Sequence, residues 1–239
     1  MAHRYFTQNI TQDEAYITGP DAVHLVRVLR AKPGDSVLLC NGAGMDFDAE
    51  VLTVGVDEVF LRVLAGRPTK AEPAIEVTVF AGMAKGERMD YAVQKSVELG
   101  AFCVVPFYSE YSVVKPGNDE KKVARYQKIA AEAAKQSGRG ILPVVYAPLP
   151  FEEMLAEAAC CEKALFFYEK GGASLRSAYS GQKSLAFITG PEGGFSAAEA
   201  RKAEEAGCLR VGLGPRILRC ETAPVAALAA LMCMSGNLE

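Results

Sequence analysis

Leu185-Ala186-Phe187-Ile188-Thr189-Gly190-Pro191-Glu192-Gly193-Gly194-Phe195-Ser196-Ala197-Ala198-Glu199 joins an apolar run to a helix start through a loop with three glycines. The apolar run is short and bounded by turn residues, so it reads as a buried strand. Ser196 and Glu199 have the spacing of a capping box, in which each side chain satisfies the other residue's backbone N–H. Strand, loop and capped helix form the unit of an α/β domain, and the unit repeats. Further strand candidates are Ile75–Ala81, Phe102–Phe107, Leu142–Tyr146, Ala164–Tyr168 and Leu209–Leu213. Helical patterns lie near 87–99, 119–137, 151–159, 196–206 and 223–235, with Gly100, Gly138 and Gly207 where left-handed C-caps belong. The alternation predicts an α/β domain over 73–239 with a mainly parallel sheet.

Upstream the pattern changes. Ser36–Cys40, Asp48–Leu52 and Val59–Leu64 are short strand candidates, and Asn41-Gly42-Ala43-Gly44 is a hairpin-type turn. Their spacing predicts a small β-barrel over 1–70, interrupted by a helix from Asp21, read as its N-cap, to Arg30. Arg67–Pro73 reads as a linker.

Composition narrows the function. The chain has 239 residues, 50% hydrophobic, with a formal net charge of −3. Those values exclude a disordered chain and give no global field for nucleic acid. Residues 1–72 hold 7 Lys and Arg against 10 Asp and Glu, so an RNA surface would have to be a local patch. The longest apolar stretch, Ala223–Met234, is too short to span a bilayer and contains Pro224. Met1–Phe6 shows no apolar signal region. Seven cysteines without a CxxC pair point to a reducing, cytoplasmic compartment and to no structural zinc or other metal. With only His3 and His24, both near the N-terminus, chemistry in the second domain is expected to run without imidazole.

Two loops are candidates for that chemistry. Thr189–Ser196 lets the backbone approach a ligand and offers helix-start N–H groups, although a plain tight turn has the same sequence. It is neither a P-loop nor a dinucleotide fingerprint. Leu213-Gly214-Pro215-Arg216-Ile217-Leu218-Arg219-Cys220-Glu221-Thr222-Ala223 also follows a strand and precedes a helix. A flat apolar ring could lie on Ile217-Leu218; alternatively Arg219 and Glu221 are simply a paired charge.

These two loops resemble the signature of the bacterial 16S ribosomal RNA uridine N3-methyltransferases, the RsmE family of the SPOUT superfamily. Lys85–Asp90, Gln94–Gly100, Glu132–Arg139 and His24–Arg30 match the same family in order, so the resemblance covers essentially the whole chain. Two positions depart from it: Cys220 stands where threonine is expected, and Tyr111 where arginine is frequent. The resemblance implies a PUA-like RNA-binding barrel, a SPOUT domain with a C-terminal trefoil knot, and a homodimer. It implies S-adenosylmethionine bound by Phe167, Tyr168, Glu169, Thr189, Gly190, Pro191, Glu192, Gly193, Gly194, Leu213, Gly214, Ile217, Leu218, Arg219, Glu221, Thr222 and Ala223. The partner would be 16S ribosomal RNA in the 30S subunit, and the role ribosomal RNA processing.

Methylation at uracil N3 needs an unpaired base, loss of the imide proton and stabilisation of the resulting anion. Arg139 is the first candidate for the anion, and Glu98 and Glu221 are candidates for the proton. Arg4, His24, Arg27, Arg30, Lys32, Lys85, Arg88, Lys95, Gln136 and Arg139 are the candidate RNA contacts, each of which could equally be an ordinary surface group. A non-catalytic RNA-binding or ribosome-assembly protein is the alternative. An NTP-using enzyme lacks the phosphate lysine and magnesium ligands it would need.

Overall fold

Val37 and Leu39 are buried while Ser36 between turn and strand is exposed, the alternation of a sheet with one face on a core. In the computed structural model, which describes residues 4–238, these belong to β3 (Ser36–Cys40) of the N-terminal unit. Before it come β1 (Arg4–Phe6), β2 (Glu14–Thr18) and α1 (Gly19–Val23), which runs on as a π-helical turn, His24–Val28. After it come β4 (Met45–Val54) and β5 (Glu58–Pro68). The sheet order is β1-β3-β4-β5-β2, antiparallel except for the parallel β1–β3 pair. Register shifts at Asp48/Ala49 and Val51/Thr53 are bulges, which bend β4 around its core. That core gathers Tyr5, Ile17, Leu25, Val37, Leu39, Ala49, Val51, Val59 and Leu61.

Two local expectations are corrected here. Asp21 is not an N-cap: the helix opens at Gly19 with Pro20 in its first turn, and the Asp21 carboxylate instead accepts from Lys135 Nζ at 2.9 Å. The 67–73 segment is not a loose linker. β5 continues through Arg67, Thr69 Oγ1 donates to Asp46 Oδ1 at 2.7 Å, and the Glu72 carboxylate takes the Gly140 and Ile141 N–H groups. Ala134–Leu142 accordingly groups with this first unit rather than with the rest of the chain.

The second unit holds β6 (Glu76–Gly82), α2 (Glu87–Glu98), β7 (Cys103–Tyr108), most of α3 (Asp119–Ser137), β8 (Val144–Val145), β9 (Leu149–Pro150) and α4 (Phe151–Ala158). It continues with β10 (Lys163–Phe167), β11 (Ala173–Ser174), α5 (Leu175–Ala178), β12 (Ser184–Thr189), α6 (Ala197–Glu205), β13 (Leu209–Gly212) and α7 (Thr222–Met234). The strand order is β11-β13-β10-β12-β6-β7-β8, with β9 also on β7, and every pairing is parallel. Parallel strands are covered on both faces, which is why their sequences are unbroken apolar runs. One face packs Phe80, Val105, Phe107, Phe166 and Ile188 against Phe151, Met154 and Leu155 of α4 and Ala200 and Ala203 of α6. Alternate residues such as Val79, Phe187 and Leu165 point the other way, where α2 packs on α7.

The five long helices begin and end within one residue of the positions expected from sequence. Gly100, Gly138 and Gly207 have φ of +93°, +77° and +85°, the left-handed caps anticipated. Leu142–Tyr146 shrinks to two strand residues. The Gln127 side chain bonds both the Pro143 carbonyl and the Val145 N–H, so a side chain occupies places that ladder partners would take. β1, β9 and β11 carry too few residues for a periodicity and were not anticipated; β2 was missed although its five residues alternate.

Candidate active site

Because every pairing in the second unit's sheet is parallel, all its strands present their C-terminal ends at one edge. β13, β10 and β12 are consecutive in the sheet, so the loops that leave them meet although they are far apart in the chain. Residues 167–169, 190–195 and 213–221, with Arg88 from α2 and Ala223 from α7, line a cavity of about 550 Å³. That volume and position suit a small organic ligand bound at strand ends.

The loops approach this closely only because of two glycines. A Cβ on Gly82, the last residue of β6, would stand 2.3 Å from the Pro191 nitrogen and 2.7 Å from the Gly190 carbonyl carbon. A Cβ on Gly193 would stand 2.7 Å from Tyr111 Cβ and 2.8 Å from the Tyr111 carbonyl oxygen. Phe195 anchors the loop from below, its ring centroid 4.3 Å from that of Phe166 and 6.1 Å from that of Phe107. Ser196 and Glu199 form the expected capping box. The buried Glu199 carboxylate also accepts the Glu110 N–H at 2.8 Å, tying the 109–112 turn to the start of α6.

Charge at the cavity is organised around Glu192. Its Oε1 accepts from the Lys85 backbone N–H at 2.8 Å and from Arg88 Nη1 at 3.0 Å. Burial pushes this carboxyl up, but the Lys85 N–H and Arg88 outweigh it and hold it below the usual range, so it is ionised. Its Oε2 is buried with no partner, as is the Thr189 hydroxyl at the end of β12. Cys220 Sγ donates to Glu221 Oε2 at 3.2 Å. Glu221 is held low first by its own backbone N–H and then, against some burial, by Cys220. Burial, reinforced by Glu221, pushes the Cys220 thiol up to about 12. Cys220 is therefore protonated at neutral pH and is expected to resist iodoacetamide, whereas exposed Cys160 and Cys233 label first. Peptide mapping after timed labelling checks this; early loss of Cys220 would contradict it.

Most of the expected ligand-binding residues meet here. Phe167, Tyr168, Glu169, Gly190, Pro191, Glu192, Gly193, Gly194, Leu213, Gly214, Ile217, Leu218, Arg219, Glu221 and Ala223 all line the cavity; Thr189 and Thr222 do not. Arg88, Phe195, Pro215, Arg216 and Cys220 line it as well, and all but Arg88 lie inside the two loops already singled out. Gly82 went unnoticed, because nothing local distinguishes a glycine that must admit a distant backbone from one that ends a strand.

The expected catalytic residues divide. Glu221 is at the cavity, and Glu98 is not: it holds Lys95 Nζ at 2.8 Å on α2. Arg139, read from sequence as a cation for RNA or an anion, is corrected to a buried group. Its side chain is 3% exposed, and its Nη2 lies 2.7 Å from Glu72 Oε2. Arg4 is likewise enclosed by Asp46 and the Gly138 and Arg139 carbonyls, with its side chain 6% exposed. Neither guanidinium faces solvent, so neither offers itself to a phosphate. His24, Arg27, Arg30, Lys32, Lys85 and Gln136 are exposed and Lys95 is half-buried. His24 Nδ1 is 2.9 Å from the Tyr5 hydroxyl, and Arg30 has φ of +55°.

Among the described residues, no helix is long and apolar enough to cross a membrane, and no group of His, Cys, Asp and Glu is arranged to hold a metal ion.

Comparison with known proteins gives consistent matches. Residues 70–232 match an RNA methyltransferase domain and residues 17–64 an RNA methyltransferase PUA domain. Ribosomal RNA small subunit methyltransferase E of Bacillus subtilis is 35% identical, over 95% of this chain and 95% of that protein. The protein of the same name from Synechocystis is 33% identical over 96% of this chain and 77% of its own length. Among solved structures, a ribosomal RNA small subunit methyltransferase E from Neisseria gonorrhoeae bound to S-adenosylmethionine superposes with a TM-score of 0.89. It is 30% identical, and the match covers 98% of each chain.

Proposed function

The chain belongs to the ribosomal RNA small subunit methyltransferase E family, and from that premise we propose that it methylates N3 of a uridine in 16S ribosomal RNA. Dependence on S-adenosylmethionine and action on ribosomal RNA follow from the family; the uridine and its N3 atom are the proposal's finer content. The observation that carries it is the cavity at the ends of β13, β10 and β12. The fit to the cofactor is chemical as well as spatial. Close-packed glycines leave loop backbone groups exposed to a ligand, and the unpaired Glu192 Oε2 offers an acceptor to an ammonium or hydroxyl group.

When bound, S-adenosylmethionine supplies a methyl group already activated on a sulfonium. The protein's own residues must then seat the donor, bring N3 in line with it and manage one proton. The backbone of Gly190–Gly194 and Leu213–Leu218, with Phe167–Glu169, would form the seat. Arg88, Arg216 and Arg219 put positive charge at the cavity, where it would favour an RNA strand and the imide anion that N3 becomes. Glu192 and Glu221 are both ionised and line the cavity; Glu192 is engaged by the Lys85 N–H and Arg88, so Glu221 is the carboxylate the reading favours as proton acceptor, directly or through water. In this reading residues 1–70 are the RNA-binding PUA-like barrel and 73–239 the methyltransferase domain. His24, Arg27, Arg30 and Lys32 would contact phosphates. A trefoil knot, a homodimer, action on the 30S subunit and a cytoplasmic location complete it.

The test is incubation of the protein with methyl-labelled S-adenosylmethionine and 30S subunits lacking the modification, followed by nucleoside mass spectrometry. Labelled 3-methyluridine in 16S RNA is the expected product. A different labelled nucleoside would overturn the N3 assignment. No label, together with no retention of cofactor in equilibrium dialysis, would favour a non-catalytic RNA-binding protein.

A further inference from the structure

Ile217 is 85% exposed, more than any other large apolar residue described, and it stands on the rim of the cavity. Its neighbours Pro215 and Arg216 are exposed too, as is Arg219, while Leu218, which also lines the cavity, is half-buried. Arg216 and Arg219 both line the cavity, and neither has an ion pair among the described residues. The rim loop is anchored at both ends. Gly214 turns the chain out of β13 with φ of +88°, and the Arg219 carbonyl accepts the Thr222 and Ala223 N–H groups that start α7. An apolar side chain is thus held out in water between two guanidiniums, beside the site of chemistry; Arg219 acts on nearby Glu221 through its charge alone.

We propose that Ile217 is a wedge that enters the RNA stack vacated by the target uridine, while Arg216 and Arg219 hold the flanking phosphates. The proposal rests on the RNA methyltransferase reading of this cavity. A base inside a stack cannot reach a cavity at the strand ends, so it must turn out of the strand and leave a gap. Aliphatic side chains fill such gaps in nucleic-acid complexes and keep the base from returning. The two arginines match a polyanion on both sides of an apolar insertion, and the adjacent cavity, open to a base turned out of its strand, selects RNA as that polyanion. Half-buried Leu218 is left to line the cavity.

The test compares wild type with Ile217→Ala on one 16S RNA transcript in two states: refolded in magnesium, or kept open by prior heating and chelation. A wedge matters most where the uridine must be taken out of structure. The ratio of kcat/KM on folded to open RNA should therefore fall by on the order of tenfold in Ile217→Ala, with Ile217→Leu restoring most of it. Arg216→Gln and Arg219→Gln should each make the plot of log affinity against log salt shallower by about 0.7, as loss of one phosphate contact on a single strand does. An unchanged folded-to-open ratio overturns the wedge. So does a fall in S-adenosylmethionine affinity, by calorimetry, large enough to account for the lost activity, since the Ile217 side chain, and not its backbone alone, would then belong to the cofactor's seat. If wild-type protein modifies neither state of the transcript nor 30S subunits, the methyltransferase reading fails and the wedge falls with it. Activity on both states with an unmoved ratio removes the wedge alone.

Discussion

Gly82→Ala is expected to weaken S-adenosylmethionine binding by roughly ten- to a hundredfold, the strain of overpacking a well-packed site. The added methyl would lie 2.3 Å from the Pro191 nitrogen, and the obstacle is backbone, which cannot swing aside as a flexible side chain can. Either β6 or the 190–194 loop must move, and that loop carries five residues of the cavity wall. Gly212→Ala is the internal control. It too lies at a strand end beside the cavity, but its Cβ would meet Gly171 Cα at 3.5 Å, an ordinary contact. Calorimetric titration of both variants with the cofactor measures the difference. Equal affinities for Gly82→Ala and wild type would mean that the loop is free to shift and that the cavity is not held by this contact.

The second large effect lies in the first unit. Arg139→Ala is expected to cost that unit about 3–5 kcal/mol, the typical result of removing one partner from a buried ion pair. The Glu72 carboxylate sits between the guanidinium and two backbone donors, Gly140 N–H at 2.8 Å and Ile141 N–H at 3.0 Å. Burial pushes its carboxyl up, but Arg139 and these N–H groups outweigh that and hold it below its ordinary 4.5. Asp46, bonded to Arg4 and Thr69, is lowered from 3.8 in the same way, again against burial. A carboxyl lowered by folding adds stability above its unfolded value and loses it as pH falls through its folded value. The first unit should therefore weaken progressively below about pH 4.5, and Glu72→Gln should flatten that dependence. Urea unfolding followed across an acid series, with a probe in the first unit, reads both effects. A wild-type midpoint that does not change between about pH 6 and about pH 3, a range that spans the ordinary carboxylate values, would refute the buried-carboxylate account.

Much of the candidate site was legible because it is built from contiguous loops. Thr189–Ser196 and Leu213–Ala223 each follow a strand and precede a helix, and glycines mark where backbone must come close. Within them, Ile217 and Leu218 could not be told apart: the pair read as one apolar seat, whereas one side chain is half-buried and the other stands in solvent. Arg139 illustrates a different limit. After a helix-ending glycine it reads as a surface arginine, and the carboxylate that buries it, Glu72, lies 67 residues away in a segment that reads as linker. Arg4 is the same case, its carbonyl partner at Gly138 being 134 positions distant.

The order of the longer elements, the bounds of the five long helices, the capping box at Ser196 and the glycine-bearing loops were all determined by sequence alone. Each depends on interactions within a few residues: hydrophobic period, cap chemistry and the φ that glycine permits. Only the tertiary structure decided that β10 lies between β12 and β13, bringing three separate loops around one cavity. It alone showed that a side chain on Gly82 would meet the Pro191 backbone, and that Arg216 and Arg219 line the cavity while Arg4 and Arg139 are buried. Those outcomes are set by contacts between residues distant in the chain, which have no local signature to read.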